Sequence, residues 1–254
     1  MGYTIAITGK GGCGKTTIAG LIVDALVRLG KTPVLAVDAD PNSCLDTVLG
    51  VRVEKSIGTI REEAREEAAK GMASGIAKRD LLELRISECL VEADGFDLIA
   101  MGRPEGPGCY CYANNVLRDV IAGVSASYPY VVIDNEAGLE NLSRRIVASV
   151  DLLILVAEPS INGVKTVQRL HELAGEMGIG YTSLAIIVNR MKGDSLIENA
   201  RLMIDGIGAH HVMLLRDDDE IAAASERGSS ITGLSTENNV SSQIYAFIQR
   251  VLSN

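Results

Sequence analysis

Apolar residues along this chain of 254 residues fall into short, nearly continuous runs, and longer stretches with helical periodicity separate the runs. Runs of this kind predict strands buried on both faces, as in parallel sheets covered by helices. The predicted strands are Tyr3–Thr8, Pro33–Val37, Phe96–Met101, Tyr130–Asp134, Leu152–Ala157, Leu184–Asn189 and His211–Leu215. The predicted helices are Thr16–Leu29, Asn114–Ala122, Leu139–Val150, Gly163–Met177, Ser195–Ile204, Glu220–Arg227 and Val240–Leu252. This alternation predicts an α/β fold with a doubly wound, mostly parallel, seven-stranded sheet flanked by helices.

One domain is predicted over residues 1–254, because no proline- or serine-rich linker, low-complexity run or internal repeat interrupts the alternation. Residues 59–92 depart from the rhythm, since they are rich in Glu, Arg and Ala and then become amphipathic around Leu81–Leu90. We interpret this stretch as a helical insertion with a solvated surface. The alternative interpretation is a surface that docks a partner.

A glycine-rich loop, Gly9–Thr17, has the sequence GKGGCGKTT and lies between the first predicted strand and the first predicted helix. This context is typical of a P-loop, in which glycines let successive N–H groups point at phosphate oxygens and the helix dipole adds positive potential. We expect Lys15 to contact the β- and γ-phosphates of ATP and the Thr16 hydroxyl to ligate magnesium. The predicted nucleotide-binding residues of the loop are Gly11, Gly12, Cys13, Gly14, Lys15, Thr16 and Thr17.

An additional lysine in this loop, Lys10, completes the pattern KGGxGK[TS]. The pattern resembles the signature of the ATPase class that includes the nitrogenase iron protein, the septum-site and plasmid-partition ATPases, and the arsenite and tail-anchored-protein ATPases. The resemblance implies a nucleotide-gated homodimer. In that class the early lysine, here Lys10, reaches the partner's nucleotide and neutralises charge that develops during phosphoryl transfer, so Lys10 joins Lys15 as a predicted catalytic residue.

Two acidic segments fit the switches of the same class. The sequence DADP at residues 38–41 follows the second predicted strand. By resemblance, Asp40 orients or deprotonates the attacking water and Asp38 lies near magnesium. Asp134 ends the fourth predicted strand and takes the magnesium-binding role of the second switch, with Gly138 as a hinge. A common Asp-Pro turn and a helix N-cap are the alternative interpretations of the two segments.

Three further residues are predicted to contact the nucleotide. Asn189 and Arg190 follow the sixth predicted strand, where the class places an asparagine that reads adenine. Glu158 follows the fifth strand and is a plausible neighbour of the nucleotide. The class often has a proline-containing loop near the base after its last strand. Here the corresponding stretch, Leu214–Asp217, lacks proline, which puts base contacts from this loop in doubt.

The composition narrows the choice of partners. A net charge of −9 argues against a nucleic-acid surface, because neutralising phosphates requires clustered Lys and Arg. The sequence has no apolar run long enough to cross a bilayer and no visible secretory signal, so we expect a cytoplasmic protein that binds neither nucleic acid nor membrane. In that compartment, five cysteines are expected to be thiols or metal ligands instead of disulfides.

Two of these cysteines, Cys109 and Cys111, lie in the segment Gly102–Tyr112, which is rich in Gly and Pro. Residues i and i+2 of an extended backbone point to the same side, so both thiols can face one ligand. One chain supplies two thiolates, whereas two chains related by a two-fold axis supply four, a set that suits nickel(II) or zinc(II). A redox dithiol and two packed small residues are the alternatives.

Together, the segments GKGGCGKTT, DADPNSCL, CYC and DNEAGLENLSRR resemble the CooC-type nickel-insertion ATPases of carbon monoxide dehydrogenase maturation, and the related ATPase of acetyl-CoA synthase maturation. The resemblance implies ATP hydrolysis coupled to nickel delivery, with Cys109 and Cys111 as the metal residues. It also implies one of those two enzymes as a partner.

Three other functions compete with nickel insertion. A partition-type ATPase needs a basic face, which an acidic chain does not favour. A septum-site membrane ATPase needs a basic amphipathic tail, but the apolar stripe of the last predicted helix carries little charge and is expected to be core. A nitrogenase-like reductase holds an iron–sulfur cluster with a cysteine from its second switch, and residues 134–142 contain none.

Overall fold

The computed structural model describes residues 2–42, 44–60, 62–63, 87–103, 121, 123, 125–138, 149–234 and 237–253. Most of the helix predicted at residues 114–122, most of the helix predicted at residues 139–150, and the central part of the insertion predicted at residues 59–92 lie outside these ranges. Residues 57–60 and 87–89, near the two ends of that insertion, are helical.

One sheet runs through the molecule in the order β3-β4-β2-β5-β1-β6-β7-β8. Its strands are β1 Tyr3–Gly9, β2 Val34–Asp38, β3 Val91–Glu92, β4 Phe96–Ala100, β5 Tyr130–Asp134, β6 Ser149–Ala157, β7 Gly180–Met191 and β8 His211–Arg216. Neighbouring strands are parallel except for β3 and β4. The predicted parallel sheet is therefore confirmed, with eight strands in the described ranges instead of seven. Ser149 and Val150, which we predicted to end a helix, begin β6.

Helices cover both faces of the sheet. Apart from the helical residues near the ends of the insertion and a short 3-10 helix at Ser125–Ser127, the helices of the described ranges are α1 Lys15–Arg28, α2 Leu45–Leu49, α3 Ile161–Glu176, α4 Glu198–Asp205, α5 Asp219–Arg227 and α6 Asn239–Val251. The side chains of Ser160, Asp218 and Asn238 cap α3, α5 and α6 by accepting a backbone N–H three residues on. No described helix has the length and apolar character that a bilayer span requires.

Two apolar layers hold the helices on the sheet. Residues of α3 and α4 pack on one face, and residues of α1, α2, α5 and α6 pack on the other. The apolar stripe of α6, formed by Ile244, Phe247, Ile248 and Val251, is at most 9% exposed. Burial of each such side chain stabilises the fold by roughly 1.5–3 kcal/mol. The expectation that this stripe belongs to the core is confirmed.

The parallel strands end at one edge of the sheet, which gathers the predicted site residues. Asp134 at the end of β5 pairs in register with Asp38 at the end of β2 and with Ile7 near the end of β1. Gly9 at the end of β1 pairs with Val156 of β6. The carboxyl ends of the central strands are where α/β sheets place their ligands.

Gly20 illustrates how tightly α1 packs. A Cβ atom added there would lie 2.4 Å from Cγ1 of Val48 and 3.2 Å from Cδ1 of Ile231. We predict that Gly20→Ala lowers the free energy of unfolding by about 1–2 kcal/mol, because overpacking costs roughly 1–3 kcal/mol and better helix propensity returns at most about 1 kcal/mol. Urea denaturation followed by circular dichroism measures the change.

The matched control is Gly175→Ala in α3, where a Cβ atom would meet nothing within 4 Å. This variant should gain about 0.5–1 kcal/mol from helix propensity alone. Equal stabilisation of both variants would contradict the close contact between Gly20 and Val48.

Candidate functional site

The loop between β1 and α1 has the shape that a phosphate requires. Gly12 and Gly14 have φ angles of 81° and 95°, in the left-handed region that favours glycine. A Cβ atom on Gly9 would lie 2.4 Å from the carbonyl oxygen of Val156. Gly14 precedes α1 without a side-chain cap, so the first N–H groups of the helix remain available to an anion.

The two lysines of the loop occupy different environments. Lys15 is only 8% exposed, and its Nζ donates to the carbonyl oxygen of Lys10 at 3.4 Å. Its ammonium group therefore lies against the loop, where a β- or γ-phosphate would meet it. The side chain of Lys10 is exposed. This placement leaves Lys10 accessible to a second protein chain.

Asp38 holds the first switch in place. Its Oδ1 accepts the N–H of Asp40 at 3.1 Å, and its Oδ2 accepts the N–H groups of Cys44 at 2.9 Å and Leu45 at 3.0 Å. Burial raises the pKa of Asp38 to about 6, and these three hydrogen bonds oppose the rise. Sequence reasoning missed this structural role, and the position of Asp38 near magnesium stays a prediction.

Asp134 is the residue best suited to a cation. It is 1% exposed, and its Oδ1 has no hydrogen-bond partner among the described residues. Burial and then the charge of Asp38 raise its pKa to about 7, whereas a hydrogen bond from Thr16 and the charge of Lys15 oppose the rise. The charge of Asp40 also raises the pKa of Asp134, by less than the charge of Asp38 does. A buried carboxylate oxygen beside a threonine hydroxyl fits magnesium, which prefers oxygen ligands.

The start of the second switch is tied to the end of β1. The N–H of Gly138 donates to the carbonyl oxygen of Gly9 at 3.1 Å, and the hydroxyl of Thr8 donates to the carbonyl oxygen of Gly138. Asn135 donates its side-chain amide to the carbonyl oxygen of Ile7 at 2.9 Å. Gly138 has a φ of 92°, so its predicted place as a hinge coincides with a left-handed backbone.

Asn189 and Arg190 donate hydrogen bonds to backbone carbonyl oxygens of the phosphate loop. Nδ2 of Asn189 donates to the carbonyl oxygen of Cys13 at 3.0 Å, and Nη1 of Arg190 donates to that of Gly12 at 2.9 Å. Arg190 has a φ of 60°, which is uncommon for a side chain of this size. Two side-chain donors therefore satisfy carbonyl oxygens of the phosphate loop, a role that sequence reasoning missed.

The same two residues also line a cleft beside the start of α1. The cleft includes Thr17, Asn189, Arg190, Arg216, Asp217 and Ile221. Contact with adenine thus remains a prediction for Asn189 and Arg190. The stretch Leu214–Asp217, which lacks proline, contributes Arg216 at the end of β8 and Asp217 after it to this cleft.

The remaining predicted site residues are Cys13 and Glu158, which the structure describes, and Cys109 and Cys111, which it does not. Cys13 is fully buried, and burial, together with a smaller effect of the Glu158 charge, raises its pKa. The place of Glu158 beside the nucleotide stays a prediction. Cys109 and Cys111 lie outside the described residues. Inside the described ranges, no group of three or more His, Cys, Asp or Glu side chains could hold a metal ion.

Comparisons with known proteins agree with this geometry. The family model for the CobQ/CobB/MinD/ParA nucleotide binding domain matches residues 4–231. An uncharacterized ATP-binding protein of Methanocaldococcus jannaschii is 38% identical over 98% of both chains. The carbon monoxide dehydrogenase accessory protein CooC of Rhodospirillum rubrum is 33% identical over 69% of this chain and 70% of its own length. The structure of the cell division protein MinD from Aquifex aeolicus has a similar fold, with a TM-score of 0.71, 24% identity and coverage of 99% and 97% of the two chains.

The contact between Arg190 and Gly12 generates a prediction. Arg190→Ala and Arg190→Gly should each weaken binding of ADP about fivefold, because a hydrogen bond to the loop contributes about 1 kcal/mol. Arg190→Gly should also be about 1 kcal/mol more stable to denaturant than Arg190→Ala, because only glycine accommodates the left-handed backbone without strain. Calorimetric titration and urea denaturation measure the two effects.

The control is Lys192→Ala, which removes an exposed cation two residues away and should leave ADP affinity unchanged. Wild-type affinity in both Arg190 variants would show that the guanidinium does not hold the loop.

Proposed function

We propose that this chain, which belongs to the CobQ/CobB/MinD/ParA nucleotide-binding family, is an ATP-hydrolysing factor that delivers nickel to carbon monoxide dehydrogenase or acetyl-CoA synthase. Members of this family are ATPases that use nucleotide and magnesium, and this chain is an ATPase. The observation that best supports hydrolysis at this site is the buried, unpartnered Oδ1 of Asp134 beside Thr16.

ATP would bind with its phosphates in the loop at residues 9–17. Lys15 would donate to the β- and γ-phosphates, and the N–H groups at the start of α1 would point at their oxygens. Thr16 and Asp134 would hold magnesium, with Asp38 close by. When bound, magnesium supplies positive charge that neutralises the phosphate oxygens.

Hydrolysis would require a water molecule that Asp40 orients or deprotonates for attack on the γ-phosphate. Lys10 is exposed, and in a homodimer it would reach the partner's nucleotide and neutralise charge in the transition state. Each active site would then need both chains. This requirement makes dimerisation and ATP turnover dependent on each other.

Nickel would bind to Cys109 and Cys111, either as the physiological metal or in competition with zinc. The segment that contains them follows β4, whose last residue, Ala100, pairs in register with Asp38. The segment thus starts beside the first switch. Two chains would supply four thiolates, a set that binds nickel or zinc. The similarity to the carbon monoxide dehydrogenase accessory protein CooC supports this assignment.

A MinD-like positioning ATPase is the second candidate, because septum site-determining MinD of Bacillus subtilis is similar over 99% of this chain at 26% identity. The buried apolar face of α6 disfavours the membrane-bound form of this function, because that face already packs in the core.

A nitrogenase-like reductase would be brown when purified without oxygen, whereas a zinc carrier would not.

We predict that Asp40→Asn leaves ATP bound but lowers its hydrolysis at least about 100-fold, because the amide is a far weaker base than the carboxylate. The variant should accumulate as an ATP-bound dimer. Phosphate release and sizing chromatography with ATP measure the two effects. Asp205→Asn, an exposed change on α4, is the matched control and should behave as wild type. Unchanged turnover in Asp40→Asn would remove Asp40 from the reaction.

The metal site is tested by stoichiometry. We predict one nickel per two chains, with metal alone shifting monomer to dimer, because each chain supplies half of the thiolates. Cys109→Ser and Cys111→Ser should each abolish both effects and the visible charge-transfer bands of nickel. The matched control is Cys44→Ser, which removes an exposed thiol from a different part of the chain. One nickel per chain, unaffected by Cys109→Ser, would reject a shared site.

A further inference from the structure

We propose that Asn42 and Arg103 are positioning residues that hold the Asp40 carboxylate for ATP hydrolysis. Because Arg103 also opens the segment that contains Cys109 and Cys111, we propose that this contact makes ATP turnover responsive to that segment. The inference rests on the proposed role of Asp40 in the reaction. The observation behind it is a continuous set of hydrogen bonds that joins two parts of the chain 61 residues apart.

Three hydrogen bonds form this connection. The guanidinium of Arg103 donates to Oδ1 of Asn42. The backbone N–H and the side-chain amide of Asn42 both donate to Oδ1 of Asp40, at 2.8 Å and 3.1 Å. One carboxylate oxygen of Asp40 thus accepts two hydrogen bonds from Asn42, which restrict the orientation of the carboxylate.

The chemistry of the three side chains determines how Asn42 must lie. A guanidinium can only donate hydrogen bonds, and an ionised carboxylate can only accept them. Asn42 satisfies both neighbours in one orientation, with its carbonyl oxygen toward Arg103 and its amino group toward Asp40. Without Arg103, the amide could rotate and present its oxygen to the carboxylate. Arg103 therefore acts on Asp40 through Asn42, without touching it.

The backbone under Arg103 is firmly placed. The N–H of Met101 donates to the carbonyl oxygen of Asp38 at 2.8 Å, and the carbonyl oxygen of Met101 accepts the N–H of Gly58 at 2.9 Å. Gly102 has a φ of 61°, and a Cβ atom there would lie 2.2 Å from Oγ of Ser56. The backbone hydrogen bonds of Met101 and the close packing of Gly102 thus hold the backbone before Arg103, whose side chain extends toward the first switch.

Both side chains of the contact are exposed, so it should contribute little to stability. A purely structural role would lower the melting temperature, whereas a positioning role should lower turnover and leave folding intact. If the γ-phosphate changes the orientation of Asp40, the same hydrogen bonds would also move Arg103. By linkage, a ligand that moves Arg103 must then alter ATP turnover or binding.

The first experiment measures steady-state ATP hydrolysis by Asn42→Ala, Arg103→Ala, Arg103→Lys and the Asn42→Ala/Arg103→Ala double variant. Each alanine variant should lose about tenfold or more in kcat, because small misplacement of a reacting group is costly, with KM for ATP and melting temperature unchanged. The double variant should be no worse than the poorer single variant, and Arg103→Lys should recover part of the loss.

The matched control is Arg169→Ala, which removes an exposed arginine of α3 that pairs with Glu172 and Glu176. It should keep the wild-type kcat. Wild-type kcat in Arg103→Ala, or multiplicative losses in the double variant, would overturn the proposal. A loss confined to KM would also overturn it.

The second experiment compares nickel affinity with ADP and with a non-hydrolysable ATP analogue, in wild type and in Arg103→Ala. We expect the two affinities to differ in wild type and to converge in the variant. A full difference in Arg103→Ala, or none in wild type, would overturn transmission through this contact. If wild type binds no nickel, the proposed metal function fails, and the kinetic comparison still decides whether Asn42 and Arg103 position Asp40.

Discussion

Two buried aspartates at the ends of adjacent parallel strands are the constraint on which this site depends. Asp38 and Asp134 are each 1% exposed and pair in register, so two like charges share one edge of the sheet. Burial is the largest cause of the raised pKa of both carboxyl groups. Three backbone N–H groups donate hydrogen bonds to Asp38 and oppose the rise in its pKa. Asp134 has only the hydroxyl of Thr16 and the nearby charge of Lys15, and its Oδ1 has no partner among the described residues. The imbalance leaves a buried oxygen of Asp134 that a bound cation would stabilise.

The surroundings of the phosphate loop follow from the same strand order. Because β1 lies between β5 and β6, with β7 beyond β6, the loop is held from two sides. Asn189 and Arg190 hold its carbonyl oxygens from the β7 side, and Gly138 bonds to Gly9 from the β5 side. A ligand that shifts the loop must therefore also shift the start of the second switch. Such direct bonding is what a nucleotide-dependent switch requires.

Long apolar runs and the glycine loop were predictable from the sequence because each leaves a strong local pattern. The two-residue strand β3 and the five-residue helix α2 were missed, since neither is long enough to show a period. Ser149 and Val150 were placed in a helix because a short apolar run does not distinguish the two conformations. The contacts made by Asn189 and Arg103 could not be predicted, because they join residues 176 and 61 positions apart, which only the strand order brings together.

The nucleotide site is a property of the family, so a function specific to this chain must depend on other parts of it. Segments that are attached to the strands and loops of the nucleotide site, but do not bind nucleotide, are candidates. The segment after β4 meets this condition. Its base is bonded to the backbone of Asp38 through Met101, and its first long side chain, Arg103, is bonded to Asn42 of the first switch. Coupling by linkage is reciprocal, so whatever binds this segment and moves Arg103 must also alter how the ATP site works, and ATP must alter that binding in return.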